Sequence, residues 1–309
     1  MNNPLVSVII PNYNHARFLS QRFESILNQT YDNFEIIILD DKSNDNSIDV
    51  INRYKDNSKI SKIIINEENS GSPFIQWEKG FNYANGELIW IAESDDSCEP
   101  NLLELLVKEF ENDDKCTLAF CKSIKIDTEG ISIGEAGMKK DMHLTGISFF
   151  KHYLYRFCYI NNASSALFRK SALSNIDWRH SNFRGSGDWL LWIEISRQGN
   201  VAYIDQPLNY YRIHGSNTTT IQLHSGKNEA EAIDVYRFMR EKAYIGYLKE
   251  LRTRIAHIYS IKYGKLSTVL NKETKQKLLK GWNNNIFTDI ITTTIYSFHL
   301  VSGVNIIKR

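Results

Sequence analysis

Two periods of apolar residues interleave along the first 121 positions. Leu5-Val6-Ser7-Val8-Ile9-Ile10 is a nearly continuous β-branched run closed by Pro11. It predicts a buried strand, because proline cannot donate to a continuing ladder. Phe18, Leu19, Phe23, Ile26 and Leu27 then recur at helical spacing, predicting a helix over 18–31. Further strands are expected at Glu35 to Leu39, Ile60 to Ile65, Glu87 to Ala92 and Thr117 to Cys121. Helices are expected between them at Ser47 to Tyr54, Phe74 to Ala84 (stopped by Asn85-Gly86) and Leu102 to Phe110. Strands alternating with helices over short connections imply an α/β fold, a mostly parallel sheet covered by helices on both faces.

Beyond residue 121 the pattern loosens. Residues 122–160 read as a loop-rich region with a helix near Gly146 to Phe157, and later strands are expected at Ala163 to Phe168 and Val201 to Ile204. Asp188 to Ser196 reads as a helix. From Glu229 to Tyr263 one stripe runs Ile233, Tyr236, Met239, Ala243, Tyr247, Leu251, Ile255, Ile258 in steps of three or four, which predicts a single long amphipathic helix. A polar stretch over 215–228 separates it from what precedes, giving two modules, 1–225 and 226–309.

Charge sharpens that division. The net charge of +1 hides 15 Lys/Arg against 7 Asp/Glu from Gly226 to Arg309, a balance of +8; the preceding 225 residues carry 22 basic and 29 acidic side chains. The basic tail is interleaved with the apolar stripe rather than grouped as a groove, which argues against nucleic acid as a partner. It fits an anionic membrane surface, packing on the first module, or self-association. Four cysteines without a C-x-x-C pair read as buried thiols rather than zinc ligands or disulfides. No basic leader and no run of about 18 apolar residues is present, so a cytoplasmic chain, at most peripheral to a membrane, is expected.

The chemistry gathers where strands end, the edge at which open α/β sheets bind ligands. Three strand tips are polar: Asp40-Asp41, Asn66, and Glu93-Ser94-Asp95-Asp96. Clustered carboxylates repel unless a cation or donors offset them, so a metal site is expected. In an extended segment Glu93 and Asp95 point to one side and can face a single Mg²⁺ or Mn²⁺. The same residues also read as an acidic helix cap before Pro100. Asp41 can accept from an imide N–H of a base or simply cap a helix. In Pro11-Asn12-Tyr13-Asn14 the aromatic can stack on a base, or the segment can be a plain turn.

The order Val-Ser-Val-Ile-Ile-Pro-Asn-Tyr-Asn (6–14), Ser25-Ile26-Leu27-Asn28-Gln29-Thr30-Tyr31, Phe34 to Ser43, Asn69-Ser70-Gly71, Ala84 to Ile89 and Ala92 to Asp96 resembles the family 2 glycosyltransferases of the GT-A, nucleotide-diphospho-sugar transferase, fold. The resemblance covers roughly 4–215. It implies that Pro11, Tyr13 and Asn14 line the nucleotide base, that Asp41 bonds the uracil, and that Asn69 and Gly71 close the donor pocket. It makes Glu93-Ser94-Asp95 the D-x-D element, with Glu replacing the usual first Asp, Asp95 on the metal and Ser94 near the ribose. Gly185-Ser186-Gly187-Asp188-Trp189 keeps one acid of the usual pair, so Asp188 is the implied catalytic base; as residues alone it reads first as a helix cap. His214, in Tyr210-Tyr211-Arg212-Ile213-His214, is implied at the metal or diphosphate. The expected activity is an inverting, Mn²⁺- or Mg²⁺-dependent transfer from a UDP-sugar to a glycan or lipid-linked glycan, in bacterial surface polysaccharide synthesis. Gly187 in place of an acid keeps a non-catalytic nucleotide- or glycan-binding scaffold as the alternative.

Overall fold

The computed structural model describes residues 3–177, 183–215 and 225–302. The chain divides into two compact units, Met1–His214 and Gly215–Arg309. Residues 216–224 of the expected polar linker lie outside the described residues.

The first unit is built on a ten-stranded sheet. Strands β1 (Val6–Asn12), β2 (Phe34–Asp40), β3 (Ile60–Ile65) and β4 (Leu88–Ile91) lie parallel in the order β3–β2–β1–β4. The sheet continues through β9 (Ala166–Arg169), antiparallel to both β4 and β6 (Cys116–Ile126). Then comes β10 (Asn200–Arg212), parallel to β6 and edged by the short β5 (Ser97–Cys98). Two more strands, β7 (Ser132–Ala136) on β6 and β8 (Met142–Thr145) on β10, are antiparallel. The sheet is thus parallel in its first half and mixed in its second.

Strand β1 is buried along its whole length because both faces are covered. Val6, Val8 and Ile10 share a core with Leu19, Phe23 and Ile26 of α1 (Ala16–Leu27) and with Leu103 and Leu106 of α4 (Leu102–Asn112). The other face meets α3 (Pro73–Tyr83) at Gly80, where an added Cβ would lie 2.5 Å from Ile9 Cγ2 and 2.9 Å from Leu39 Cδ1. Glycine is required there by the close approach. Helix α2 (Ser47–Tyr54) follows β2.

The structure corrects several expectations. Strand β1 runs through Pro11, whose register partner is Leu39. Residues 122–160 are not mainly loop: β6 extends to Ile126 and β7 and β8 follow. The helix near 146–157 is a single α-turn, α5 (Gly146–Phe149), continued as a π-helical Phe150–Leu154. Strand β10 is far longer than Val201 to Ile204, because a register irregularity around Pro207 lets pairing resume after the polar Asp205-Gln206. Ala163–Ser165 is a 3₁₀ turn rather than strand.

The second unit is helical: α7 (Lys227–Glu241), α8 (Tyr247–Lys262), α9 (Lys265–Val269), α10 (Lys272–Gly281) and α11 (Ile286–Ser302), with α6 (Gly187–Ser196) belonging to the first unit. The single helix expected over 229–263 is two. Ala243 takes a left-handed φ of 54°, and the Tyr244 N–H closes on Met239 O, ending α7; Gly246 then caps α8. The apolar stripe misled because its steps continue in number across the break. Tyr247, a stripe residue, is 69% exposed. Among the described residues no helix is long and apolar enough to cross a membrane.

Candidate active site

The loops after β1 and β2 are tied together by the Asp40 carboxylate. It accepts from Asn12 Nδ2 (2.7 Å), Ser43 N (2.8 Å) and Ser43 Oγ (2.7 Å). Ser43 Oγ in turn accepts the Asn14 N–H (2.9 Å), and Asn14 Oδ1 accepts the Asn44 N–H (2.8 Å). Asn14 and Lys42 both sit at left-handed φ, 58° and 59°, so each chain turns sharply as it leaves the sheet. Tyr13, on the tip, is 45% exposed, while Pro11 is buried.

Asp41 faces the loop before α3. Its Oδ1 accepts from Asn66 Nδ2 (2.7 Å), Ser70 N (2.8 Å) and Gln76 Nε2 (2.9 Å), and its Oδ2 from Ser70 Oγ (2.8 Å). Asn69 Nδ2 donates to the Asp41 carbonyl, and Asn69 Oδ1 holds the N–H of Gly71, whose φ is +75°. The structure therefore brings Asp41, Asn69 and Gly71 into one network. Two carboxylate oxygens offer about four lone-pair directions, and Oδ1 is the crowded one.

The acidic tip after β4 is a turn, not an extended segment: the Asp96 N–H donates to Glu93 O (3.2 Å). The period-two expectation for Glu93 and Asp95 is corrected accordingly, and the two carboxylates take different neighbours. Glu93 Oε1 accepts from Trp77 Nε1 of α3 (3.0 Å), and burial, then Asp95 and Asp96, push its acid up to about 8. Asp95 Oδ2 lies 2.9 Å from His214 Nε2. Burial opposes its ionisation, but the His214 hydrogen bond and the neighbouring imidazoles win, and its pKa falls. Asp96 accepts from Asn162 Nδ2 (2.9 Å), Ser164 Oγ (2.7 Å) and Arg212 N (2.9 Å); burial and the Asp95 charge raise it to about 7.

His15, opening α1, completes the group. Its Nδ1 is 2.8 Å from Ser94 Oγ, and burial lowers its pKa, favouring the neutral imidazole. Ligand atoms of His15, Asp95 and His214 all lie within 4.8 Å of one another. One carboxylate and two imidazoles offer a divalent cation both oxygen and nitrogen donors, a set that departs from the all-oxygen preference of Mg²⁺. Arg212 buttresses this corner: Nε donates to Asp95 O (2.8 Å), Nη2 to Gln21 Oε1 (2.7 Å) and Nη1 to Asp127 O (2.8 Å), with the guanidinium over the Phe18 ring. Sequence reasoning missed His15. Its only signal is its place one residue beyond Asn14, at the carboxyl end of β1.

Asp188 lies in the first turn of α6, where its Oδ1 accepts the Trp189 N–H (2.7 Å) and its Oδ2 is 3.9 Å from Cys158 Sγ. The Trp189 indole N–H donates to Leu154 O (2.6 Å), pinning the helix start. Upstream, Ser72 Oγ donates to Phe183 O (2.6 Å), so the loop carrying Gly71 touches the segment that leads to Asp188. The sheet edge thus offers an exposed aromatic, a network carboxylate and a His–Asp–His cluster, and the start of α6 offers a further carboxylate.

The sequence profile described as Glycosyl transferase family 2 matches residues 7–177. The chain is 30% identical over 226 residues to an uncharacterized glycosyltransferase, alr2836, of Nostoc sp., covering 69% of this chain and about two thirds (66%) of that protein. It is 26% identical to an uncharacterized glycosyltransferase of Haemophilus influenzae, covering 100% of this chain and 97% of that one. Among solved structures, S. aureus TarS 1-349 in complex with UDP-GlcNAc shares the fold with a TM-score of 0.69 at 16% identity, over 89% of this chain and 79% of that one.

Proposed function

Because the chain belongs to glycosyl transferase family 2 and is a sugar-transferring enzyme, we propose that it moves a glycosyl group from a UDP-sugar to an acceptor hydroxyl with inversion, aided by a divalent cation. The observation that carries this reading is the convergence of His15, Asp95 and His214 at the strand edge that also presents Tyr13 and Asp41. Tyr13 stacks on the base, and Asp41 accepts the imide N–H through the less crowded Oδ2. Asp95 with the two imidazoles would hold a divalent cation, which would supply positive charge beside the departing diphosphate. The Asp188 carboxylate takes the proton of the acceptor hydroxyl as its oxygen attacks the anomeric carbon from the face opposite the diphosphate. One C–O bond forms as the bond to the diphosphate breaks, and UDP leaves. The TarS complex with UDP-GlcNAc on a similar fold supports the choice of donor.

The acceptor is a glycan or lipid-linked glycan of bacterial surface polysaccharide synthesis, met at an anionic membrane face. Support comes from the +8 balance over 226–309 and from the outward apolar side chains of α11, Ile286 (80% exposed) and Ile290 (62%). The test is a panel of nucleotide-sugars with Mn²⁺, scored by nucleotide released, with EDTA and Asp95→Ala as controls. UDP release that stops in EDTA and in Asp95→Ala is expected, with circular dichroism showing that the variant is folded. Turnover undiminished in EDTA removes the cation, and turnover restricted to GDP-sugars removes the UDP assignment.

A further inference from the structure

The second unit holds a pocket that the transfer reading does not use. It is walled by Arg237 and Arg240, one turn apart on α7, by Glu250 and Arg254 on α8, and by Tyr236 and Trp282. Helix α10 comes close here: a Cβ on Gly281 would lie 2.7 Å from Ile233 Cδ1. Trp282 is fixed in place, its Nε1 donating to Glu229 Oε1 (2.8 Å) and its ring stacked on His257 at 4.4 Å.

Three arginines therefore line a pocket with one carboxylate in its wall. Arg237 reaches outward to Asp234 (2.9 Å), a pair more than half exposed and weakly held. Arg240 approaches Glu250 at 3.4 Å, a long contact for a charged pair. The Nε of Arg254 is buried without a hydrogen-bond partner among the described residues. A buried N–H on a permanent cation loses its hydration and gains nothing in return unless an acceptor enters.

We propose that this pocket binds a phosphate-bearing ligand. A tetrahedral phosphate presents several oxygens in different directions, and planar guanidinium forks meet such oxygens two at a time. The aromatic pair Tyr236 and Trp282 gives the phosphate's substituent an apolar wall. The phosphate is either free, as in a sugar phosphate, or the monoester headgroup of a lipid; the chemistry recognised is the same. This site stands apart from the donor site in residues and in unit.

The test uses the full chain without divalent cations, with inorganic pyrophosphate as the free probe and vesicles of phosphatidylcholine with or without phosphatidic acid as the lipid probe. Calorimetry and melting temperature read the first; flotation reads the second. Arg254→Met and Arg240→Gln are expected to weaken binding by about tenfold or more, while Asp95→Ala binds like wild type, which separates this site from the donor site. Melting of each variant without ligand checks that it folds, and two independent arginines keep the test decisive if one does not. Arginine-dependent binding of pyrophosphate assigns a free phosphate. Arginine-dependent binding of phosphatidic acid vesicles alone assigns a headgroup. Binding of neither probe, or binding unchanged in both arginine variants, overturns the proposal.

Discussion

Asp188 and Asp41 are both held by protein donors, and which bonds a substitute can keep sets what substitution does. Asp188 Oδ1 accepts one backbone N–H, a bond an amide oxygen can keep. Asp188→Asn is therefore expected to preserve the start of α6 and UDP binding while transfer falls by about 10²–10⁴-fold. Calorimetry with UDP beside a transfer assay reads both, and surviving transfer would place the base elsewhere. Asp41 accepts four hydrogen bonds within the protein. Asp41→Ala should lower the melting temperature as well as UDP affinity, since unpaired buried donors cost about 1–3 kcal/mol. Tyr13→Ala removes an exposed ring, so it should leave melting unchanged and weaken UDP by about 1–3 kcal/mol. Pyrophosphate, measured in an Arg254→Met background so that the second unit does not contribute, should be unaffected by it; equal losses for the two ligands would show that Tyr13 does not face a base. At this scale the sequence disclosed Asp95 and His214 as acids and imidazoles worth watching. It could not disclose His15, because nothing in residue order says that the turn after β1 folds over the tip of β4.

Elements are more legible than their edges. The β1 to β4 half could be read from runs of Val, Ile and Leu because parallel strands covered on both faces must be apolar throughout. The second half was not legible, because β6 carries polar residues where it pairs with the short β7, and Asp205-Gln206-Pro207 interrupts the apolar run of β10. The opposite end of β1 and β2 holds a separate device. Glu35 Oε1 accepts from Ser7 Oγ (2.6 Å) and Asn85 N (2.7 Å), and Oε2 from Asn85 Nδ2 (3.0 Å). Partial burial opposes ionisation of Glu35, but these donors outweigh it and hold its acid below the usual 4.5. A carboxyl ionised more readily in the folded chain than in the unfolded one stabilises the fold above about pH 4.5 and stops doing so as pH falls through its folded value. Glu35→Gln should therefore melt lower than wild type at pH 7, with a gap that closes toward pH 3. A constant gap across that range would mean that the side chain acts by shape and not by charge.

At the scale of the whole molecule, the two units carry opposite charge, and this was readable from composition. Which face of α11 turns outward was not. Thr288 and Thr292 are buried while Ile286, Phe287, Ile290 and Phe298 are exposed, the reverse of what hydropathy suggests. Thr292 Oγ1 donates to Thr288 O (2.8 Å), and Thr288 Oγ1 to Asn285 O (2.9 Å), so these hydroxyls are satisfied by their own helix and can be covered at little cost. The full chain should float with anionic vesicles at about 50 mM salt and lose that binding toward 300 mM, as exposed charges are screened over roughly 10 Å. A double Ile286→Ser, Ile290→Ser variant should bind more weakly with unchanged melting. Flotation absent at low salt, or insensitive to the variant, would remove the membrane face from the proposed function.

Asp95 and His214 touch across 119 positions of chain. Between them lie β5 to β9, and His214 follows β10, the strand that pairs with both β6 and β5. Contacts so distant in sequence form late, because their loop must close before they repay it. A chain growing from a ribosome would thus show the first half of its sheet well before it could assemble the His–Asp–His cluster. Until β10 docks, the carboxylates of the β4 tip lack their imidazole partner and the donated Arg212 N–H. The last strand to be made is thus the one that brings in His214 and completes the His–Asp–His cluster.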